Sequence, residues 1–253
     1  MSVAVAVVTH KEYPLFSDPL YIPLMAGAAL SGAVPEGYTG DDSGDNISPS
    51  NRTYCELTGL YWVWKNTDTD HAGICHYRRY FASASSRRQI LRKTEAEEIM
   101  RRVDVLLPRP RRYFIETNYS HYAHAHHAED LDTTREIIAC RHPEYLDAFD
   151  RRMSMRSGHR FNMLIMKRDL LDGYCTWLFD ILFELEKQLD ISDYSEKDRR
   201  VFGYVAERLL DVWLDHNNIS YNETAYIMTE KEHLLRKAAG LLGRKISAAV
   251  KRS

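Results

Sequence analysis

The chemistry most readily suggested by the sequence sits in the run His76-Tyr77-Arg78-Arg79-Tyr80-Phe81. A guanidinium presents a rigid fork of donors that matches phosphate oxygens, so two adjacent arginines suit a diphosphate. The competing reading is a solvated pair bridged to acidic neighbours, and the aromatic flanks weigh against it. A second group is the polar loop Asp41-Asp42-Ser43-Gly44-Asp45-Asn46. Its hard oxygens could hold a divalent cation, meet a ribose or phosphate, or simply close Asx-turns on themselves. An EF-hand is not expected, because no glutamate closes the loop and no helix directly precedes it.

His121, His124, His126 and His127, with Asp130 just beyond, form the densest histidine cluster. Their spacing is not HExxH, and no cysteine lies close enough to complete a zinc site. Histidines lining an acceptor or phosphate pocket are the reading preferred over a metal-dependent hydrolase, with a plain polar loop as the third possibility. Glu207 stands among Phe202, Val205, Leu209, Leu210 and Trp213. A carboxylate on such an apolar helix must face a cleft or be paired. Arg208, one residue on, is not expected to face it. That leaves Glu207 as a candidate general base, or as a structural partner of an arginine such as Arg199.

The elements that must position these groups follow from periodicity. Residues 3–8 are apolar on both faces, as in a central strand of a parallel sheet, so residues 9–11 fall at the carboxyl edge where open sheets bind ligands. Apolar residues at helical spacing predict a helix over 54–66, with Asn51, Arg52 and Thr53 as cap candidates. Short strands are expected over 72–75, 103–107 and 161–166. Helices are expected over 129–140, 143–153, 170–189 and 197–216. Strands alternating with helices imply an α/β fold rather than a bundle.

Composition narrows the function classes. Among 253 residues, 34 basic and 36 acidic side chains give a formal charge of −2, so nucleic acid is not an expected partner. Hydrophobic residues at 44% and charged residues at 28% indicate a packed core rather than wholesale disorder. Cys55, Cys75, Cys140 and Cys175 are scattered without a CxxC pair, as reduced thiols of a cytoplasmic protein would be. The apolar start lacks the basic region of a signal peptide, and no run of apolar residues is long enough to span a bilayer.

The segments 54–66 and 73–81 are together specific enough to carry a family resemblance. The chain resembles a bacterial family first catalogued as a domain of unknown function and associated with capsular and exopolysaccharide glycosyltransferases. The likeness continues through 9–11, 41–46, 126–131, 157–163 and 207–213, up to about Tyr221. It implies a GT-A-like fold, one Rossmann-like α/β domain with a mostly parallel central sheet and a helical C-terminal part. It also implies a nucleotide sugar donor, UDP-linked, held by Thr9, His10, Lys11, Asp41, Asp42, Asp45, Asn46, His76, Tyr77, Arg78 and Arg79. The acceptor, a lipid-linked or growing saccharide, would meet His124, His126, His127, His159 and Asn162. Glu207 is the first candidate for the catalytic base and Asp130 the second, with Asp45 and Glu56 left open.

Many GT-A enzymes carry a metal-binding DxD where this chain has His76-Tyr77-Arg78-Arg79. No metal is therefore expected as cofactor, and cationic side chains would neutralise the leaving diphosphate; Mg²⁺ or Mn²⁺ would otherwise fall to the aspartate loop. Inverting hexosyl transfer, galactofuranosyl transfer among the activities, is what the resemblance suggests for capsule, exopolysaccharide or O-antigen synthesis. A non-catalytic carbohydrate-binding protein is the rival from a different class. Residues 1–229 are assigned to the transferase domain and 230–253 to a basic amphipathic helix, which could hold the protein against the inner face of the cytoplasmic membrane.

Overall fold

The computed structural model describes residues 1–229. Its strands are β1 (Val3–Thr9), β2 (Tyr21–Met25), β3 (Thr39–Gly40), β4 (His71–His76), β5 (Arg79–Phe81), β6 (Val105–Pro108), β7 (Arg111–Arg112), β8 (Ser157–Gly158), β9 (Leu164–Lys167), β10 (Asn222–Thr224) and β11 (Tyr226–Met228). The helices are α1 (Ala28–Ser31), α2 (Asn51–Tyr54), α3 (Leu57–Asn66), α4 (Lys93–Met100), α5 (Asn118–Ala125), α6 (Ala128–Arg141), α7 (Leu146–Ser154), α8 (Arg168–Gln188) and α9 (Val201–His216).

The main sheet runs β3-β2-β1-β4-β9-β6-β10, with β5 joined to β4 and β11 to β5. Every strand on the main path points the same way except β9, which is antiparallel to both β4 and β6. The expected α/β architecture with a mostly parallel sheet is therefore what the chain adopts. β7 and β8 form a separate two-stranded ribbon.

Alternation along the strands divides the core in two. Val3, Val5 and Val7 of β1 join Tyr21, Cys75, Leu106 and Ile165 on one face, covered by Ala96 and Met100 of α4 and by Tyr77, Tyr80 and Phe81. Ala6 and Val8 join Leu24, Ala72, Ile74 and Leu164 on the other, under α3, α6, α7, α8 and α9. At about 1.5–3 kcal/mol for each large apolar side chain removed from water, this second layer carries most of the folding free energy. α9 is central to it, with 12 of its 16 residues buried. Such a helix can hold charge only where a partner waits, as it does for Arg208 and Asp211.

Several expectations are corrected. The helix expected over 54–66 is two helices, because Cys55 adopts φ 52° between them. The Asn51 amide does not cap the second; its Nδ2 donates to the Cys55 carbonyl at 2.7 Å and to Thr58 Oγ1 at 3.0 Å, stapling the break. The strand expected over 161–166 starts only at Leu164, since Phe161 and Asn162 sit at φ 76° and 51°. Residues 143–145 form a 3-10 turn ahead of α7. β2, with Pro23 inside it, and the short β10 and β11 carry too little periodicity to announce themselves. The basic helix expected over 230–253 lies outside the described residues.

Gly73 marks where β4 is squeezed between β1 and β9. It pairs with Val5 on one side and Ile165 on the other, and a Cβ there would overlap the Leu164 carbonyl and stand 2.8 Å from Ile165 Cα. Backbone on a paired strand cannot yield without breaking the ladder, so Gly73→Ala is expected to cost about 3 kcal/mol, roughly 6–12 °C in Tm for a domain of this size. An unchanged melting curve would show that the sheet can part at this point.

Candidate functional site

The carboxyl ends of β1 and β4 and the start of β5 open onto a cleft of about 1150 Å³. Thr9 ends β1 buried, with Oγ1 donating to the Lys11 carbonyl at 2.6 Å, which bends the chain away from the sheet and leaves His10 on the cleft wall. From the opposite side come Asn51 and Arg52 of α2, the Cys55-Glu56 break, and the segment 196–200 ahead of α9. Arg52, Arg78, Arg79, Lys197, Arg199 and Arg200 thus meet on one cavity, where Glu56 and Glu196 are the carboxylates among the described residues.

Burial, and after it the crowding of positive charge, keeps the nearby histidines neutral. Burial, then Arg79 and Arg78, push His76 down to about 3. The Arg78 backbone N–H donates to His76 Nδ1 at 3.2 Å, which makes Nε2 the protonated nitrogen of the neutral ring. His10 is lowered as well, by desolvation and by Lys11, Arg78 and Arg200. Tyr77 is buried against both, its ring 4.4 Å from that of His76 and 5.5 Å from that of His10. Arg78 lies 5.0 Å over the Tyr77 ring, and Arg79 lies 4.3 Å over Phe161. Stacking on rings helps to fix the guanidinium planes.

Cys55, Glu56, His76, Arg79 and Arg200 also line a second, deeper chamber of about 260 Å³, large enough for a sugar ring. Its far wall is made by Arg111, Tyr113, His121, His126, Arg160, Phe161, Tyr204, Glu207 and Arg208. Two carboxylates, Glu56 and Glu207, therefore share one small space. Glu207 Oε1 accepts the Phe161 backbone N–H at 3.0 Å, and Glu56 Oε1 accepts Asn162 Nδ2 at 2.9 Å. Each carboxylate thus holds one residue of the left-handed pair Phe161-Asn162, a conformation costly for side chains of this kind and held here by its surroundings. Burial, then the charge of Glu207, push Glu56 above the ordinary carboxylate range.

Arg208 is the partner of Glu207 after all, at 3.4 Å, although neighbours on a helix do not normally face each other. Both side chains turn into the same chamber, and the buried Arg208 has no solvent to turn to. Arg160 locks the wall from behind, donating to the Glu207 carbonyl at 2.8 Å, to Tyr113 Oη at 3.0 Å and to Asn118 Oδ1. Arg199 does not approach Glu207; it donates to the Ser192 carbonyl.

Other expected site residues fall elsewhere. Asp41 is fully buried and accepts the backbone N–H groups of Gly27 and Ala28 and the Ser48 hydroxyl, anchoring α1 rather than facing a ligand. Asp42, Asp45 and Asn46 close on their own loop and on α3: Asn46 Nδ2 donates to the Asp42 and Gly44 carbonyls, and Tyr61 Oη to Asp45 Oδ1. That is the Asx-turn reading of this loop. Asp130 is buried between the hydroxyls of Tyr122 and Tyr194, each at 2.7 Å, and lines neither chamber. Lys11 stands beside the Tyr13 and Tyr77 rings, at 5.9 and 5.6 Å.

The histidine cluster disperses along α5. His121 and His126 line the deep chamber, whereas His124 pairs with Glu116 at 2.8 Å and His127 stacks on Tyr194 at 4.0 Å. Among the described residues no three His, Cys, Asp or Glu side chains converge as a ligand set. His159 is buried between Asp211 and Glu223, and Asn162 acts on Glu56 rather than lining the chamber. Sequence reasoning missed Arg200, Lys197, Arg111, Tyr113 and Arg160. The signal that could have found some of them was Arg199-Arg200 immediately ahead of an apolar helix.

The family model described as a domain of unknown function, DUF4422, matches residues 4–218, and the chain belongs to that family. Among solved structures, the apo structure of WbbM, a bifunctional glycosyltransferase, is similar with a TM-score of 0.86 and 28% identity. The likeness covers 91% of this chain and 46% of that one, so the chain spans about half the length of the protein it matches. No curated protein matches it.

Glu56 gives this geometry a thermodynamic signature. Its folded-state pKa lies above the ordinary 4.5, so below that value both states are protonated, and above the folded value a desolvated charge weighs on the native state alone. Glu56→Gln, which can still accept from Asn162, is expected to raise Tm at pH 7–8. The gain should shrink to nothing as pH falls below about 4.5. A variant no more stable than the wild type at neutral pH would remove the strained carboxylate from this account.

Proposed function

We propose that this member of the DUF4422 family is a glycosyltransferase of polysaccharide synthesis. It takes a hexose from a nucleotide-diphosphate sugar, UDP-linked, and passes it with inversion to a lipid-linked or growing saccharide. The observation that carries the reading is the continuity of the two chambers. A cleft lined by six cationic side chains at the strand ends leads, across a shared wall, to a chamber holding two carboxylates. The match to a bifunctional glycosyltransferase supports the same class.

The chemistry is a single displacement. The acceptor hydroxyl oxygen bonds to the anomeric carbon as the bond from that carbon to the diphosphate oxygen breaks, and the hydroxyl proton passes to Glu207. Negative charge builds on the diphosphate, where Arg78, Arg79 and Arg200 are positioned to neutralise it without rearranging. Neutral His76 adds a donor that carries no charge to repel its arginine neighbours. Glu56, raised by burial and by Glu207, holds a proton more readily than an ordinary carboxylate. Galactofuranose is among the hexoses this reading puts forward for test.

UDP-sugars are expected to raise Tm, and Arg78→Ala or Arg79→Ala to weaken that response, since each removes charge-assisted bonds to phosphate. Equal stabilisation of both variants and the wild type would overturn the donor assignment. Glu207→Gln should lower transfer by about 100-fold or more while leaving the UDP-sugar response intact, and full activity would move the base to Glu56. Transfer is expected to survive chelation by EDTA; loss restored by Mg²⁺ or Mn²⁺ would show a metal requirement. Slow donor hydrolysis without acceptor separates an enzyme from a non-catalytic carbohydrate binder.

A further inference from the structure

The most exposed large apolar side chains among the described residues are neighbours: Phe114 is 91% and Ile115 68% exposed. They form the tip between β7 and α5, and the tip is not loose. Beneath it β7 pairs with β8, the Tyr113 N–H donates to the Arg156 carbonyl at 2.7 Å, and the Asn118 N–H donates to the Met155 carbonyl at 2.7 Å. A capping box between Thr117 and Ser120 then starts α5 at once. The fold thus holds two large apolar side chains out in water on a braced base, with half-exposed Met155 beside them. Singly exposed apolar residues need no explanation, but a clustered and rigidly presented set marks a contact surface.

The charges around the tip say what kind of surface it meets. Arg109, Arg111, Arg112 and Arg156 are all exposed there. Glu116 is the one acid between residues 109 and 118, and it is occupied by His124. Apolar side chains ringed by unneutralised arginines fit the boundary between headgroups and acyl chains of an anionic bilayer. The tip also grows directly from the deep chamber, since Arg111 and Tyr113 line that chamber and Phe114 follows them.

We propose that Phe114 and Ile115 insert into an anionic membrane while the surrounding arginines meet its phosphates. This sets the wall of the deep chamber against the bilayer. Taken with the transferase reading, on which this placement of the acceptor rests, a lipid-linked saccharide would enter from the membrane side while the nucleotide sugar enters from solvent.

The test uses the full chain and vesicles of phosphatidylcholine with or without phosphatidylglycerol. In Phe114→Trp, the difference in emission from the wild type should shift to the blue on adding anionic vesicles and be quenched by brominated acyl chains. Phosphatidylcholine alone should produce much less of both. Phe114→Ser/Ile115→Ser should partition into anionic vesicles about tenfold more weakly or worse, with its thermal response to UDP-sugars unchanged. An indole that neither shifts nor quenches, or a double variant that partitions like the wild type, overturns the proposal. An indole already shifted without vesicles, together with a wild type that is dimeric by light scattering and a monomeric double variant, would overturn it in favour of a contact between copies. Insertion in a protein unresponsive to UDP-sugars would instead sink the transferase reading and leave the membrane contact standing.

Discussion

Mutual repulsion among the cations at the carboxyl ends of β1 and β4 is the constraint to which the rest of the site answers. Among the described residues six basic side chains share one cleft with two carboxylates, in a place partly shielded from water. Two features make this tolerable. The histidines there have given up their charge, with His76 held near 3 by burial and by the arginines themselves. The guanidinium groups are also spread over aromatic faces, Arg78 on Tyr77, Arg79 on Phe161 and Arg200 on Tyr204. A polyanion entering such a cleft would meet several guanidinium groups already positioned around it.

The deep chamber stores a second kind of tension. Among the described residues three of the four non-glycine residues with positive φ, Cys55, Phe161 and Asn162, lie against it, and the two carboxylates hold two of them in place. Strain and the two carboxylates are therefore coupled: the groups that could move a proton also fix the backbone that shapes the deep chamber. Cys55 closes the junction of the two chambers with its sulfur 3.0 Å from Arg200 Nε, yet burial pushes the thiol up to about 11. It packs there as a small apolar residue and not as a nucleophile.

How far the sequence anticipated this depends on what each residue answers to. β1, β4 and the helices α6, α8 and α9 follow from apolar periodicity, because burial on a sheet or under a helix layer is a local pattern with a global cause. Arg78, Arg79, His76 and Glu207 could be singled out because charge beside an apolar element has few innocent explanations. The Asp41 loop misled for the opposite reason: acidic residues in a polar loop look available, while the demand of α1 for an acceptor at its N-terminus comes from the backbone and leaves no mark on composition. Arg160 and Tyr113 are brought to the site by tertiary packing alone. The helix break at Cys55 and the turn at Phe161 were hidden because neither residue type favours a left-handed backbone.

The seam between β5 and β11 has a consequence for the order in which the molecule is assembled. Arg79 pairs with Met228, and Thr229 bonds through its amide to the Arg78 carbonyl and through its hydroxyl to the Tyr77 carbonyl, 152 residues away. β5 is only three residues long, and a one-residue slip would turn Arg79 to the opposite face. β5 is held on one edge by β4, through the pairing of His76 with Arg79, and the arginine register is locked on the other edge by β11. A folding chain that has paired β1 with β4 but has not yet docked β11 would thus have much of its core while the strand carrying Arg79 is held on one edge only.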